Sequence, residues 1–400
     1  MQVGRLLLKH QVEKRINFGH KSSFARILTE AERGKQAMNL LTEIIRAETA
    51  QRGVLSFARF MEMALYHPGL GYYETQKHGP GRHGDFYTSV SIGELFGELL
   101  GFQFAGWLEE LQIADCGLRI VEAGAHDGKL AGDILKWLQW KRPKLFDQIE
   151  YGIIEPSERR REWQCETLEN FAPRVRWFRG FNDPTIQRFN GIIFSNELLD
   201  AFPAHRFGWD AENKKWFEWG VAVAGDKFIW AKIKKSESDL SSSVFHLPSS
   251  LLEVLPDGYI IETSPAAENW WREAAGVLER GKLVTIDYGY IADEMFSPSR
   301  MSGTLRAYFR HLVTNDLLAN PGGRDLTAHV NFSAIRKAGE DAGLMTEYFN
   351  SQTKFLVEIM ATVAKSNSFG EWNAKQTRQF QTLTHPEHLG RAFSVLVQTR

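Results

Sequence analysis

Apolar residues recur at helical spacing in the first quarter of the chain and in short runs thereafter. Met38, Leu41, Ile44 and Ile45 share one face of a helix over residues 37–46. Phe57, Phe60, Met61 and Ala64 do the same over residues 56–65, with Ser56 placed to cap the first turn. His67-Pro68-Gly69-Leu70-Gly71 ends that helix, because proline lacks the amide needed to continue it and glycine readily caps one. A glycine-rich loop at 79–84 leads through Asp85-Phe86-Tyr87-Thr88-Ser89 to a helix over 91–110, with Ile92, Leu95, Phe96, Leu99, Leu100 and Phe104 at core spacing.

From Leu118 the pattern changes. Strands are predicted at 119–122, 150–155, 175–178, 191–195 and 283–287, with helices between several of them, as at 129–140 and 158–171. Short strands alternating with helices define βαβ units and a parallel sheet with right-handed crossovers. The expectation is an α/β fold. A helical N-terminal lobe over 37–117 follows an extension at 1–36 and precedes a Rossmann-like core over 118–360, with a C-terminal segment at 361–400. Two insertions interrupt the core, at 204–260 and 290–331. The first is rich in strand-formers (Phe207, Trp209, Trp216, Phe217, Trp219, Phe228, Ile229, Trp230) separated by turn residues at 210–214 and 225–226, which reads as an antiparallel β meander. Residues 234–243 read as an exposed polar loop, and 357–360, after the 344–354 run, as part of a closing antiparallel hairpin.

Composition narrows the function. Four hundred residues suit one large α/β domain with insertions. Forty-eight basic against 49 acidic residues leave a formal charge of −1, without the positive field of a nucleic-acid-binding chain. Two cysteines, Cys116 and Cys165, give no disulfide framework, and without CxxC or HxxxH spacing no metal site is expected. No apolar run has the length of a membrane span. In the first 35 residues, Arg5, Lys9, Lys14, Arg15, Lys21, Arg26, Arg33 and Lys35 outnumber Glu13, Glu30 and Glu32. Such a stretch suits either an import leader or a solvated extension.

The strongest chemical signal is Ile120-Val121-Glu122-Ala123-Gly124-Ala125-His126-Asp127-Gly128, a strand, an acid, and a turn with glycines four apart that opens a helix. Glycines let backbone approach a ligand closely. The GxGxxG spacing of a dinucleotide site is missing, so a nicotinamide oxidoreductase is disfavoured. An acid ahead of the loop suits a ligand with an amine and hydroxyls in place of phosphates, a description that fits S-adenosylmethionine; an ordinary strand–helix turn would look the same. Glu155 ends the next strand, where a carboxylate can accept from a ribose diol or from the amides of the following helix. Ser195-Asn196-Glu197-Leu198-Leu199-Asp200 and Asp287-Tyr288-Gly289-Tyr290 end two further strands, at the sheet edge where ligands sit in open α/β folds. Asn196 and Glu197 could equally be caps, and Asp200 a surface acid. Tyr87, His311 and His329 are further candidates of the kind that is more often structural.

Seven ordered blocks make the reading specific: MEMALYHPGLGYY (61–73), GDFYTS (84–89), EAGAHDGKLAGDIL (122–135), SNELLDAFP (195–203), DYGY (287–290), GTLRAY (303–308) and PGGRDLTAHVNF (321–332). Together they resemble the methyltransferase family of the mitochondrial complex I assembly arginine methyltransferases, which has many bacterial members. The resemblance spans residues 60–353. It implies a seven-stranded class I methyltransferase sheet, S-adenosyl-L-methionine as cofactor, and an arginine of a protein substrate, such as a respiratory complex subunit, as acceptor. It places Gly84, Asp85, Thr88, Glu122, Gly124, His126, Gly128, Glu155 and Asn196 at the cofactor, and Asn196 and Glu197 at the reacting methyl group. Carboxylates recognise a guanidinium in bidentate fashion, which makes Glu197 the first choice for the acceptor clamp, backed by Asp200 and Asp287. The family's usual central glycine is replaced by His126, whose backbone need not be left-handed. That departure, with the Trp-rich meander, supports a competing expectation of an assembly or interaction protein that retains the fold. The implied compartment is the cytoplasm for a bacterial chain and the mitochondrial matrix for a eukaryotic one. A homodimer stays open.

Overall fold

The computed structural model describes residues 30–75, 88–111, 117–234, 253–297, 300–309, 312–366, 368–385, 389–390 and 392–400. The chain separates into two units, Met1–Gln36 and Ala37–Arg400, and the architecture below belongs to the second. Among the described residues, seven strands line up in its main sheet: β1 (Leu118–Ala123), β2 (Ile149–Ile154), β3 (Val175–Phe178), β4 (Phe189–Asn196), β5 (Leu278–Tyr290), β6 (Met345–Ser351) and β7 (Phe393–Thr399). They lie side by side in the order β3-β2-β1-β4-β5-β7-β6, with the two-residue strand Val330–Asn331 paired to the end of β5. Neighbours from β3 through β5 are parallel, and β7 runs antiparallel between β5 and β6.

Alternation along the strands assigns residues to the two faces. Ile120, Phe194, Ile286 and Val397 pack on one side, against helices α3 (Leu95–Glu110), α4 (Lys129–Lys141) and α8 (Gln352–Ser366). Val121, Ile193, Leu283 and Leu396 pack on the other, against α6 (Pro265–Val277) and α7 (Phe332–Asp341). Trp271 of α6 is fully buried there, and its indole N–H donates to Gln398 Oε1 at 2.7 Å. With β1 paired to β2 on one edge and β4 on the other, the strand order reverses at β1, which opens a crevice at the carboxyl ends of β1 and β4.

The meander forms as predicted, from strands His205–Asp210, Lys215–Ala224 and Lys227–Lys232. Ile260–Thr263 and Leu55–Ser56 complete that sheet, so the N-terminal lobe is hydrogen-bonded to the first insertion. The lobe's helices α1 (Glu30–Arg52) and α2 (Phe57–Tyr66) bury Leu41, Ile45, Phe57 and Phe60 in one cluster, and Ser56 caps α2 through the Arg59 amide. The second insertion holds a three-stranded antiparallel sheet, with Arg306–Phe309 between Leu312–Thr314 and Asp325–Thr327.

Three expectations differ from the structure. Residues 357–360 lie within α8, because Phe355, Leu356, Ile359 and Val363 are buried at helical spacing; a short apolar run alone does not separate helix from strand. The antiparallel closure is made by β6 and β7, with α8 and α9 (Ala374–Thr384) between them, so the sheet extends past residue 360 to residue 399. The helix expected over 91–110 is interrupted by Gly93, whose φ of 146° separates a short turn, Ser89–Ile92, from α3. The 79–84 loop and nearly all of 234–243 lie outside the described residues. No helix among the described residues is long and apolar enough to cross a membrane.

Replacing Trp271 with alanine is expected to cost about 3–5 kcal/mol, the usual cost of truncating a buried tryptophan. Equilibrium denaturation should show it as a lower midpoint with secondary structure retained before the transition.

Candidate cofactor and acceptor site

The cleft at this crevice has a volume of about 630 Å³, and its walls include Thr88, Glu122, Gly124, His126, Asn196, Glu197, Asp200 and Asp325. Its floor is the turn after β1. Gly124 (φ 76°), His126 (φ 47°) and Gly128 (φ 85°) all take left-handed backbone, and the Gly128 amide closes the turn on the Ala125 carbonyl at 2.7 Å. A Cβ at Gly124 would stand 3.0 Å from Leu198 Cδ1, so a side chain there would crowd the cleft wall. The sequence left His126 free to avoid the left-handed region, but it occupies it. Histidine tolerates that conformation better than bulkier residues, at a cost of about 1 kcal/mol or somewhat more. Its carbonyl accepts from Gln164 Nε2 at 3.0 Å, and its ring lies 6.3 Å from that of Trp163.

Glu122 ends β1 with 2% exposure and accepts from Tyr151 Oη at 2.7 Å. Burial raises its pKa to about 8, against the opposing effect of the Tyr151 bond. Glu155, after β2, is 1% exposed and is not among the residues that line the cleft. Its carboxylate is held by the Ser157 amide (2.9 Å), Arg160 Nη2 (3.1 Å) and Gln164 Nε2 (3.2 Å), the latter two from α5 (Glu158–Thr167). Of the two readings left open for Glu155, the structure shows contact with a following helix amide. Arg160 is the residue that faces the cleft in its place.

At the end of β4, Glu197 also takes a left-handed φ of 53°, a strained conformation for a residue with a side chain. Its amide is tied to the Ile286 carbonyl at 2.9 Å. Its Oε1 accepts from Asn196 Nδ2 (3.0 Å) and from the Ser89 amide (3.3 Å), which joins the N-terminal lobe to the sheet. Thr88, one residue earlier, caps the Ser89–Ile92 turn and lines the cleft. Glu197 Oε2 and Asn196 Oδ1 are shielded from solvent and have no hydrogen-bond partner among the described residues.

Three more carboxylates surround this point. Asp287 of β5 accepts from the amides of Leu198 (3.1 Å), Leu199 (2.8 Å) and Tyr288 (2.8 Å), so this residue, and not Asn196 or Glu197, caps the turn. Asp200 and Asp325 are buried and line the cleft, and Tyr73 Oη donates to Asp325 Oδ1 at 2.8 Å. Burial first, and then the neighbouring acids, push Asp200 well above the usual carboxylate range. Glu197 is raised to about 8 by burial, with Asp287 and Asp325 adding to the effect. Asp287 is raised to about 7 by burial in spite of its amide bonds. Among the described residues, the lysine and arginine that line the cleft are engaged elsewhere, Lys129 with Asp133 (2.8 Å) and Arg160 with Glu155 (3.1 Å). No group of three or more histidine, cysteine or acidic side chains among the described residues is arranged to hold a metal.

The structure thus brings Glu122, Gly124, His126, Asn196, Glu197, Asp200 and Thr88 to one cleft, and leaves Glu155 behind Arg160. Gly84, Asp85, Tyr87 and His311 lie outside the described residues. His329 lies away from the cleft lining, and burial lowers its pKa to about 4. Tyr66, Tyr73, Arg160 and Asp325 were not singled out from the sequence, although Tyr66, Tyr73 and Asp325 stand inside two of the seven blocks.

The model of a family of S-adenosyl-L-methionine-dependent methyltransferases matches residues 99–350. The chain belongs to this family. A crystal structure from Burkholderia thailandensis bound to S-adenosyl-homocysteine superposes with a TM-score of 0.77 at 30% identity, covering 92% of this chain and 93% of that one. A native crystal structure from the same organism gives the same TM-score at 31% identity, with the same coverage of both chains. Among named relatives, the human mitochondrial protein arginine methyltransferase NDUFAF7 is 26% identical over 374 residues, 86% of this chain and 79% of its own length. The mitochondrial Drosophila melanogaster homolog is 26% identical over 329 residues, 76% and 70% of the two chains.

The cofactor of the family is S-adenosyl-L-methionine, and the cleft fits it: a glycine-floored turn admits close approach, and enclosed acids suit an ammonium and a sulfonium.

The raised acids also set a pH dependence. A carboxyl whose pKa is higher folded than unfolded binds more protons in the folded state between the two values, so stability falls as pH rises through that window. For Glu197 the window runs from about 4.5 to about 8, with Asp200, Asp287 and Asp325 as its acidic neighbours. The ligand-free protein should melt at progressively lower temperature across this range. Glu197→Gln should flatten the slope in parallel thermal melts.

Proposed function

We propose that this methyltransferase acts on the guanidinium of an arginine in a protein substrate. The observation that carries the reading is the pair of enclosed acceptor atoms, Glu197 Oε2 and Asn196 Oδ1, without donors among the described residues. The Asn196 amide group is oriented by its Nδ2 bond to Glu197, so its carbonyl oxygen is the atom left over. Two unsatisfied acceptors among buried acids call for a guest that is cationic and rich in N–H donors, and a guanidinium carries five such donors in one plane. The names of the relatives, protein arginine methyltransferases at 26% identity, support the same reading.

In this proposal Glu122, Gly124, His126 and Gly128 cradle the cofactor, Thr88 covers it, and Glu155 reaches the ribose by exchanging its bond to Arg160. The bound cofactor supplies an electrophilic methyl group. Glu197 and Asn196 orient the acceptor nitrogen toward it, with Asp200 behind them, and the walls exclude water. Holding two reactants in register is itself a large contribution to rate. The nitrogen that gains a carbon must lose a proton, and Glu197 Oε2, ionised once it pairs with the cationic guest, is the acceptor. The competing reading of a non-catalytic assembly protein rests on His126 and on the Trp-rich meander; at His126 the left-handed backbone is the one a glycine would take.

Glu197→Gln is expected to leave S-adenosyl-homocysteine affinity within about two-fold and to lower turnover by about 100-fold or more, the usual range for losing a positioned general base. Transfer of labelled methyl groups into cell extract, followed by mass spectrometry of methylarginine, measures the turnover. Unchanged turnover would remove Glu197 from the chemistry, and label confined to other residues would overturn the arginine acceptor.

A further inference from the structure

The acceptor end of the cleft has a wall that Glu197 does not supply. Asp325 begins the strand Asp325–Thr327 of the second insertion, is fully buried and lines the cleft. Its carboxylate is held from the N-terminal lobe, where Tyr73 Oη donates to Oδ1 at 2.8 Å. Tyr73 is held in turn: its ring stacks on Tyr66 at 5.4 Å, and the Arg160 guanidinium lies 5.8 Å from its centroid. The Tyr66 hydroxyl is committed to the Ala201 carbonyl at 2.9 Å. On the other side, the Ala328 amide donates to the Asp200 carbonyl at 2.8 Å and fixes the insertion against the turn that carries Glu197 and Asp200. Tyr73 thus holds the carboxylate itself, and the Ala328 bond fixes the segment that carries it.

Acids gathered in a cleft do not by themselves define a ligand. Asn196 adds an independent sign: it is 8% exposed, it lines the same cleft, and its Oδ1 has no donor among the described residues. A donor from outside the described residues is what this position lacks. One carboxylate satisfies one edge of a guanidinium and leaves other N–H groups to be met. An ammonium, compact and with three donors, has less need of a second carboxylate.

We propose that Asp325, positioned by Tyr73, is the second carboxylate of the acceptor clamp and the residue that selects a guanidinium over an ammonium. The inference rests on the cationic-acceptor reading above and assigns its specificity to a segment outside the methyltransferase sheet. Asp325 touches the acceptor; Tyr73 acts through Asp325.

The test uses the full-length protein saturated with S-adenosyl-homocysteine, titrated with ethylguanidinium and with ethylammonium and followed by chemical-shift change. Wild type should prefer ethylguanidinium. Asp325→Asn should weaken ethylguanidinium about ten-fold, the effect of losing a charge-assisted bond, and ethylammonium much less, so that the ratio of the two affinities collapses. Tyr73→Phe should lower that ratio by a smaller factor, and S-adenosyl-homocysteine affinity should stay at the wild-type value in both. A merely structural role would weaken both cations and the cofactor product together. If wild type binds ethylguanidinium selectively and Asp325→Asn preserves the ratio, this assignment falls and the cationic-acceptor reading survives. If wild type binds neither cation, both fall, and equal binding of the two by wild type overturns the selectivity on its own.

Discussion

The architecture at the mouth of the sheet is governed by the cost of enclosing negative charge. Glu197, Asp200 and Asp287 sit at the ends of β4 and β5 or in the turn between them, and no lysine, arginine or histidine among the described residues forms an ion pair with any of the three. Isolated buried carboxylates are not sustained as anions, so they hold protons, accept amide hydrogens or await a cation. Asp287 takes the second course, with three backbone amides. Glu197 keeps one oxygen without a partner among the described residues, and the residue lines the cleft. A protein that needed only stability would have little reason to keep it there.

Strain is concentrated at the same place. Of the four non-glycine residues with positive φ among the described residues, His126 and Glu197 both line the cleft. Each is held by its neighbours, His126 through its carbonyl to Gln164 and Glu197 through its amide to Ile286. The strand ends deliver them, and the N-terminal lobe closes on Glu197 through the Ser89 amide. The two insertions have distinct parts in this arrangement. The meander ties the lobe to the body of the protein through Leu55–Ser56, and the second insertion brings Asp325 to the cleft.

Much of this was legible in the sequence where local pattern and global fold agree. The parallel strands, the turn after β1 and the meander followed from periodicity and turn residues, because each burial face repeats with the element's own period. Residues 357–360 misled because four apolar residues fit a strand as well as a helix, and the strand that closes the sheet lay beyond them at Phe393–Thr399. Glu155 was legible as a strand-end acid, but its coverage by Arg160 depends on the geometry of α5, which spacing does not encode. Asp325 and Tyr73 are 252 residues apart, and only the folded chain shows that they share a hydrogen bond.

The most direct test of an enclosed acid waiting for a cation is a count of protons. Calorimetric titration of the S-adenosyl-homocysteine complex with ethylguanidinium near neutral pH, repeated in buffers of different ionisation enthalpy, measures how many are exchanged on binding. An acid whose pKa lies near the working pH must ionise to pair with the guest, so release of roughly half to one proton per ligand is predicted. Binding without any proton release would mean that these carboxyls are already charged, and the account built on them would be wrong.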